Sequence, residues 1–588
     1  MWGLLGNTLK PFLGVKVPQS ARYKPLPPAP PTPPPPIPAT PLPALDSALQ
    51  RLDANKQAWT QVTCRERAQM LRECARKVPE LARSLSEVST AAKGAGGAGL
   101  GDEWTLLTSC VGGLQEYAET MDAEAQPHVP VSVRPSTGQL VAQVFPRGLY
   151  CALFPGVSGD VWIQKGKPAT QGAVYRAKKE GKGGQGSVSL VLGAGNQIAV
   201  AFLDVLYKLI ADDEVTILKM SPVNEYAGPY IEKIMAPFVE RGYLAVVYGG
   251  IEVSKHLTTH PLVSSIHLTG SRATYEAILA TPGVKSKHVT AELGNVTPYI
   301  IVPGQWSDDD IEFHAQSVAG GLVGNNGHNC IALELLITAE DWPQRPAFLA
   351  AVRRAINKIP HKVPYYPGAA AKYDHFRQKF AGKVQELGAP VSDVPGMQEA
   401  KPWLLVEGLK PEEASVQEEN WSGVMQEISI PGTGMDPSSF MNAATKFVNE
   451  RCFGSLAVGV FIHPETQKDN QEAFTRMIDE LQYGSISVNV PGGIAFCFPS
   501  FPWGALQANT KKAHESGVGC VHNSLLLDHP EKWVLTVPWR VAPKPLWHAD
   551  NLALQPVAEQ LVNCLASLGN LPLTMYYLTR TAVAAMRG

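Results

Sequence analysis

The residues of this chain with the greatest capacity for chemistry are one cysteine and one glutamate. Cys330 follows a small, amide-rich turn, Asn325-Asn326-Gly327-His328-Asn329. Glu292 stands upstream in Glu292-Leu293-Gly294-Asn295. A thiol can add to a carbonyl carbon and a carboxylate can activate water. The pair therefore supports a covalent thioester cycle on an aldehyde or acyl substrate. A cysteine is more often a buried apolar filler, and a glutamate more often a solvated or capping carboxylate. The Asn/Gly composition ahead of Cys330 marks a turn rather than a core strand, and the order and spacing of the two segments add weight.

Such groups need a scaffold that brings distant loops together. Strands are expected at 187–192, 215–219, 244–248 and 264–268, with helices at 198–211 and 226–240. This alternation predicts a parallel α/β sheet with a nucleotide site at the C-terminal ends of its strands. Gly193-Ala194-Gly195-Asn196 follows the first strand and opens a helix. It is either a simple tight corner or a placement of the Asn196 amide as donor to an oxyanion near the thiol. Lys219 ends the second strand. Upstream, residues 44–85 show helical apolar spacing, 91–101 read as a Gly/Ala loop and 103–121 as a helix. Residues 131–144 alternate like strands, and 177–186 read as an exposed basic loop.

The chain has 588 residues, enough for two or three domains, and a formal net charge of −2, which gives no reason to expect nucleic acid as a partner. Its nine cysteines are dispersed, with no CxxC pair or Cys/His cluster, so neither a structural zinc site nor a disulfide framework is expected. No apolar run is long enough to span a bilayer. Residues 25–43 are mostly proline, a stiff extended linker. Residues 1–24 carry Lys10, Lys16, Arg22 and Lys24 and no acid, with Trp2, Leu4, Leu5, Phe12 and Leu13. That composition fits a transit peptide or a membrane-surface anchor, and equally a plain tail. The locations considered are accordingly the cytoplasm or an organelle, mitochondrion or chloroplast.

Further motifs complete a pattern. Asn196 precedes Lys219, in Ile217-Leu218-Lys219-Met220, by a fixed interval. Tyr248-Gly249-Gly250 is a glycine turn before a helix, and His267-Leu268-Thr269-Gly270-Ser271 is again strand then turn. Glu418-Glu419-Asn420-Trp421-Ser422-Gly423-Val424 follows, then Tyr483 to Asn489, Pro502-Trp503-Gly504-Ala505 and Ser516-Gly517-Val518-Gly519. Together with the Glu292 and Cys330 segments, these resemble the aldehyde dehydrogenase superfamily over roughly residues 46–525, as a divergent member. The departures are specific. Ser254 replaces a second glycine, Tyr275 stands where many members have glycine, His328 replaces a glutamine, and Ser422-Gly423 replaces Gly-Pro.

The resemblance implies an α/β fold with a Rossmann-type nucleotide-binding domain, an α/β catalytic domain and an oligomerisation flap. The expected division is a tail over 1–45, a nucleotide-binding domain over 46–295 with 130–150 contributing to the flap, and a catalytic domain over 296–484. An oligomerisation segment over 485–525 and a C-terminal extension over 526–588 complete it. The extension is expected to pack on the body, cover a sheet edge or touch a membrane surface. The resemblance assigns Cys330 as nucleophile, Glu292 as general base and Asn196 to the oxyanion hole. It assigns Lys219, Gly250, Gly270, Ser271, Glu419 and Trp421 to NAD or NADP. Members favouring NAD often carry a glutamate three residues after the lysine, where this chain has Pro222. The implied activity is NAD(P)-dependent oxidation of an aldehyde to an acid by a homodimer or homotetramer. Peripheral membrane contact through either terminal extension is a further expectation. An acyl-CoA or acyl-phosphate reductase, and a non-catalytic scaffold of the same fold, are alternatives; retention of Glu292 favours hydrolysis over the first, and retention of all five polar site residues disfavours the second.

Overall fold

The structure, a computed structural model, describes residues 23–24, 33–95, 99–394 and 397–588. The expectations for residues 1–22 and for 25–32 of the proline-rich stretch lie outside the described residues.

Three long helices open the body. Helix α1 (Leu42–Gln61) starts after Pro41 and buries Leu45, Leu49, Leu52 and Trp59 at helical spacing. Helix α2 (Cys64–Ala92) begins with a reciprocal capping box between Thr63 and Glu66, an arrangement that stabilises a helix start by about 1 kcal/mol. Helix α3 (Gly99–Asp122) is buried along most of its length. Beyond them lies the first sheet. Its strands β1 (Val188–Leu192) and β2 (Val215–Lys219) are buried at every position, as expected of parallel strands covered on both faces. Between them runs helix α4 (Ile198–Leu206). Strand β3 (Leu244–Val247), helix α5 (Ile251–Thr259), strand β4 (Ser265–Gly270), helix α6 (Arg272–Leu279) and strand β5 (His288–Leu293) complete the alternation. The spatial order is Gly517–Val518, β5, β4, β1, β2, β3, parallel throughout except for the antiparallel Gly517–Val518.

The second sheet has eleven strands. In spatial order they are 131–133, 140–145, 158–163, 530–536, 485–488, 457–461, 297–301, 333–339, 424–430, 403–409 and 384–387. Helix α7 (Asp308–Val323), capped by Ser307 and Asp310, leads from this sheet to the Cys330 turn. The C-terminal helices α8 (Leu554–Ala566) and α9 (Leu571–Ala585) pack on each other, and α8 also packs on α3. The Gln115 amide of α3 donates to the Leu565 carbonyl of α8 at 3.0 Å. One apolar core joins the first sheet to α1–α4 and α8, and a second fills the larger sheet.

Several expectations change in detail. The loop expected at 91–101 is shorter, because α2 runs to Ala92 and α3 starts at Gly99. The expected helix 198–211 ends in a π-helical turn, Tyr207–Ala211. The expected helix 226–240 is broken at Met235, with Pro229 and Pro237 each opening a short segment. The basic stretch 177–186 is only partly an exposed loop: a helix covers Ala173–Lys179, and Lys178 pairs with Asp213. Residues 485–525 and 526–588 are not set apart. Ser485–Val488 lies inside the large sheet, and Pro530–Thr536 pairs parallel to it on one side and antiparallel to Ser158–Ile163 on the other. An exposed edge at Ser485–Val488 would leave a row of unpaired backbone groups; the C-terminal strand, with Trp533 and Leu535 buried, covers it.

Candidate active site

The Cys330 turn is held by amide side chains. After α7 the backbone turns through Asn325 (φ +50°) and Asn326 (φ +56°), both left-handed, a conformation asparagine tolerates better than most residues. Asn325 is buried and fully engaged. Its backbone N–H donates to Asp102 at 3.1 Å, and its Oδ1 accepts from Lys93 Nζ at 2.9 Å. Its Nδ2 donates to the carbonyls of Asn196 (3.0 Å) and His328 (2.9 Å). Lys93 also pairs with Glu103 at 2.6 Å, both side chains being almost wholly buried. Asn329 donates to Gly324 O and accepts from Gln197, which ties the turn to the start of α4.

Asn196 arrives from the opposite side. Gly193 and Gly195 let β1 turn close to its neighbours: a Cβ on Gly195 would lie 2.6 Å from Ser221 Oγ and 2.9 Å from Val223 Cβ. The Asn196 amide donates to the His328 carbonyl at 3.1 Å, while its own carbonyl accepts from Tyr365 Oη at 3.1 Å. Glu292, near the end of β5, has its carboxyl beside the Cys330 thiol and the Trp503 indole. Burial pushes this carboxyl up to about 8, and the neighbouring thiol only partly offsets it. The Cys330 thiol is raised well above its usual value, first by burial and then by Glu292. The resting pair is therefore a protonated acid beside a protonated thiol at neutral pH. His328, also buried, is held neutral by burial, which pushes it down to about 3; its ring packs against Tyr365 with centroids 4.7 Å apart. It is not among the groups that act on the thiol.

A second carboxylate stands on the other wall. Glu419 accepts from the Asn295 backbone N–H at 3.3 Å, and a Cβ on Gly294 would lie 2.4 Å from its carboxylate. Burial pushes Glu419 up to about 7, opposed by the Lys372 ammonium. Lys372 itself donates to the Glu419 carbonyl at 2.7 Å. Behind it, buried Glu334 accepts from the backbone N–H of Asn420 at 3.0 Å. Burial and the adjacent Glu419 raise Glu334 well above the carboxylate range. These contacts fix a bend in which Trp421 takes φ +47°, a strained value for so large a residue. The Trp421 ring meets Tyr366 at 5.4 Å.

One cavity of about 1890 Å³ connects these groups. Cys330, Glu292, Asn196, Lys219, Gly270, Ser271, Glu419 and Trp421 all line it. Gly250 does not: it caps α5, and Ile251, Ser254, Lys255 and Thr258 of that helix face the cavity instead. The cavity continues past Phe498 to Val537, Leu546, Leu554 and Leu561, so the C-terminal segment forms part of its wall. Lys219 is 7 % exposed. Burial pushes it down to about 8, opposed by Glu225, and its ammonium has no hydrogen-bond or ion-pair partner among the described residues. Lys93, Glu103, Asp102, Tyr365, Glu334 and Lys372 were not singled out by the sequence. Except for Glu103, which pairs with Lys93, their partners lie far along the chain, 232 residues in the case of Lys93 and Asn325, and no local motif marks them.

The donor set fits a nicotinamide dinucleotide. An unpaired ammonium at the end of β2, the N-terminus of α6 capped by Ser271, and a carboxylate at Glu419 lie along one continuous cavity that passes Cys330.

The family model described as "Aldehyde dehydrogenase family" matches residues 203–370. Aldehyde dehydrogenase family 3 member A2 of Macaca fascicularis is 24 % identical over 354 residues, 58 % of this chain and 65 % of that relative's own length. The dimeric NADP-preferring aldehyde dehydrogenase of Mus musculus is 22 % identical over 349 residues, 57 % of this chain and 68 % of the relative. The crystal structure of the aldehyde dehydrogenase KauB from Pseudomonas aeruginosa superposes with a TM-score of 0.61 at 17 % identity, covering 84 % of this chain and 90 % of KauB. The chain thus shares its fold with nearly the whole of a solved aldehyde dehydrogenase, and from α4 to the Cys330 turn and beyond it is similar in sequence to the aldehyde dehydrogenase family.

Proposed function

We propose that the protein oxidises an aldehyde to a carboxylic acid with NAD⁺ or NADP⁺, through a thiohemiacetal and then a thioester on Cys330. The observation that carries this reading is the contact between the Glu292 carboxyl and the Cys330 thiol on the wall of a cavity that also holds Lys219 and Glu419. In this reading the six-stranded sheet is the nucleotide-binding unit and the larger sheet the catalytic unit.

The Cys330 thiol gives its proton to solvent, and the Sγ thiolate adds to the carbonyl carbon. The oxyanion lies within reach of the Asn196 amide and the Cys330 backbone N–H, donors that are positioned before the reaction. Lys219 takes the adenosine ribose, the Gly270–Ser271 turn the pyrophosphate and Glu419 the nicotinamide ribose, with Trp421 as an apolar wall. The dinucleotide, when bound, supplies the hydride acceptor. Glu292 then removes a proton from the water that attacks the thioester carbon, releasing the acid and restoring the thiol. The apolar lining beyond Phe498 favours a hydrophobic aldehyde.

Self-association as a homodimer or homotetramer is supported by the edge strand Val131–Val133, whose Val131 and Val133 are exposed; a free edge of this kind pairs readily with another chain. Contact with a membrane surface is supported by the exposed Leu573, Tyr576 and Val583 of α9, a helix whose only charged side chain is Arg580.

The test is single-turnover formation of NADH or NADPH, followed by absorbance with aliphatic and aromatic aldehydes. The wild type gives a burst and then turnover, Cys330→Ala gives no burst, and Glu292→Gln loses turnover. Absence of any burst in the wild type, with cofactor bound, refutes the reading.

A further inference from the structure

Two histidines and one aspartate meet outside the cavity, where the start of α1 lies against the end of α5. His256 sits in the last turn of α5, and His260 caps its C-terminus. Four residues apart, the two imidazoles stand on one side of the helix, with ring centroids 5.7 Å apart. Asp46 comes from the first turns of α1. Its Oδ1 lies 2.6 Å from His256 Nε2 and 3.6 Å from His260 Nε2. One donor atom from each of the three lies within 4.8 Å of the other two. Among the described residues no other trio of histidine, cysteine and carboxylate side chains gathers its donor atoms this closely. None of the three lines the cavity.

The separations suit a common ion. Ligand atoms about 2.0–2.1 Å from a tetrahedral metal lie about 3.3 Å from one another. The two distances to Asp46 Oδ1 fall on either side of that value. A hydrogen bond to His256 accounts for the shorter one. It does not account for His260, whose Nε2 stands near the same oxygen beyond hydrogen-bonding reach. The side chains of Asp46, His256 and His260 keep 42, 27 and 16 % exposure, enough for an ion to enter and for water to complete its shell. Both supporting helices are anchored independently. Helix α1 buries Leu45 and Leu49 beside Asp46, and α5 buries Val253 and Leu257. The Leu262 N–H donates to His260 Nδ1 at 3.2 Å, a bond that ligation through Nε2 exchanges for a proton on Nδ1. The neighbouring Lys287 ammonium donates to the His260 carbonyl at 2.7 Å.

We propose that Asp46, His256 and His260 bind a divalent transition-metal ion of the Zn²⁺ type, which clamps α1 to α5. Two imidazoles and a carboxylate suit Zn²⁺, whereas Ca²⁺ and Mg²⁺ take oxygen ligands. Helix α5 also presents Ser254, Lys255 and Thr258 to the cavity, so the ion braces a helix that forms part of the cavity wall. No local sequence pattern marks the site, because Asp46 and His256 are 210 residues apart. The site is independent of the reaction assigned to Cys330.

The experiment titrates ZnCl₂ by calorimetry into the chelator-treated full chain, as wild type, Asp46→Asn, His256→Gln and His260→Gln, with circular dichroism confirming the fold of each. One Zn²⁺ per chain is expected in the wild type, together with a rise in melting temperature and no comparable binding of Mg²⁺. Loss of an outer-shell partner alone weakens a bound metal about tenfold or more, so each variant is expected to bind Zn²⁺ at least about tenfold more weakly. Co²⁺ in place of Zn²⁺ is expected to show the visible absorption of a nitrogen- and oxygen-ligated ion, without a thiolate charge-transfer band. Four results overturn the proposal: no stoichiometric Zn²⁺, equal binding by wild type and folded variants, Mg²⁺ bound as tightly as Zn²⁺, or a thiolate band that places the ion on cysteine. Each of them leaves the reading of Cys330 and Glu292 untouched.

Discussion

Lys93 Nζ donates to Asn325 Oδ1 at 2.9 Å, joining the end of α2 to the turn that carries Cys330. The same ammonium pairs with buried Glu103, and the Asn325 amide reaches on to the Asn196 carbonyl. The N-terminal helices thereby fix both the Cys330 turn and the start of α4. Removing one partner of a buried ion pair leaves the other charge uncompensated, at a cost of about 3–5 kcal/mol. Lys93→Met is therefore expected to lower stability by that order and to slow alkylation of Cys330. Chemical denaturation and the rate of iodoacetamide labelling check it. A variant with unchanged stability and labelling would show that the pair does not hold the turn.

The Glu292–Cys330 contact sets a pH dependence. Burial pushes the Glu292 carboxyl up to about 8, so it is mostly protonated at neutral pH and accepts a proton only as pH rises. The rate of acid release is expected to climb through about pH 8, and Glu292→Gln is expected to lose that limb. A pH–rate profile on both proteins, with stability checked at each pH, decides it. A flat wild-type profile between pH 6 and 9 would contradict the assignment.

Lys219 costs the protein stability when its site holds no anion. Its folded value is pushed down to about 8, from about 10.5 in the unfolded chain. Below pH 8 the ammonium is charged in both states and the native state bears the full penalty; the penalty fades between 8 and 10.5. Lys219→Met is expected to raise the melting temperature at pH 7, to lose that advantage near pH 10.5, and to weaken dinucleotide binding. Thermal melts across pH, together with a binding titration, test both halves.

The C-terminal strand is part of the body. Trp533 on Pro530–Thr536 is 1 % exposed and packs against Phe501 and Trp503. Trp533→Ala is expected to cost about 3–5 kcal/mol in urea or guanidinium denaturation. A loss below about 1 kcal/mol would mean that this strand is dispensable to the sheet.

Much of the site was legible because its signals are local. The turn composition at 325–329, the glycines of 193–195 and the strand-end Lys219 are short patterns whose physical cause lies within a few residues. The α/β alternation from β1 to β4 was legible for the same reason, since continuous apolar runs such as Val188–Leu192 report strands covered on both faces. Lys93, Tyr365 and Glu334 were not legible, because each acts through a partner more than sixty residues away or through backbone groups of another loop, and Glu103 matters only through Lys93. Pro530–Thr536 escaped for a related reason. Pro530, Glu531 and Lys532 break its alternation, and its neighbours in the sheet, at 158–163 and 485–488, are distant in sequence. Gly250 caps α5 without lining the cavity, because a glycine turn marks where a helix begins but not which of its residues face a cavity.

In the proposed mechanism an acyl group passes through Cys330 and leaves by way of Glu292. Intact-protein and peptide mass spectrometry of Glu292→Gln, incubated with an aldehyde and NADP⁺ or NAD⁺, tests it most directly. The expected result is a mass increase of one acyl group located on Cys330, absent in Cys330→Ala and short-lived in the wild type. An unmodified Cys330 in a folded variant that binds the dinucleotide and turns over aldehyde, or an acyl group on another residue, would contradict it.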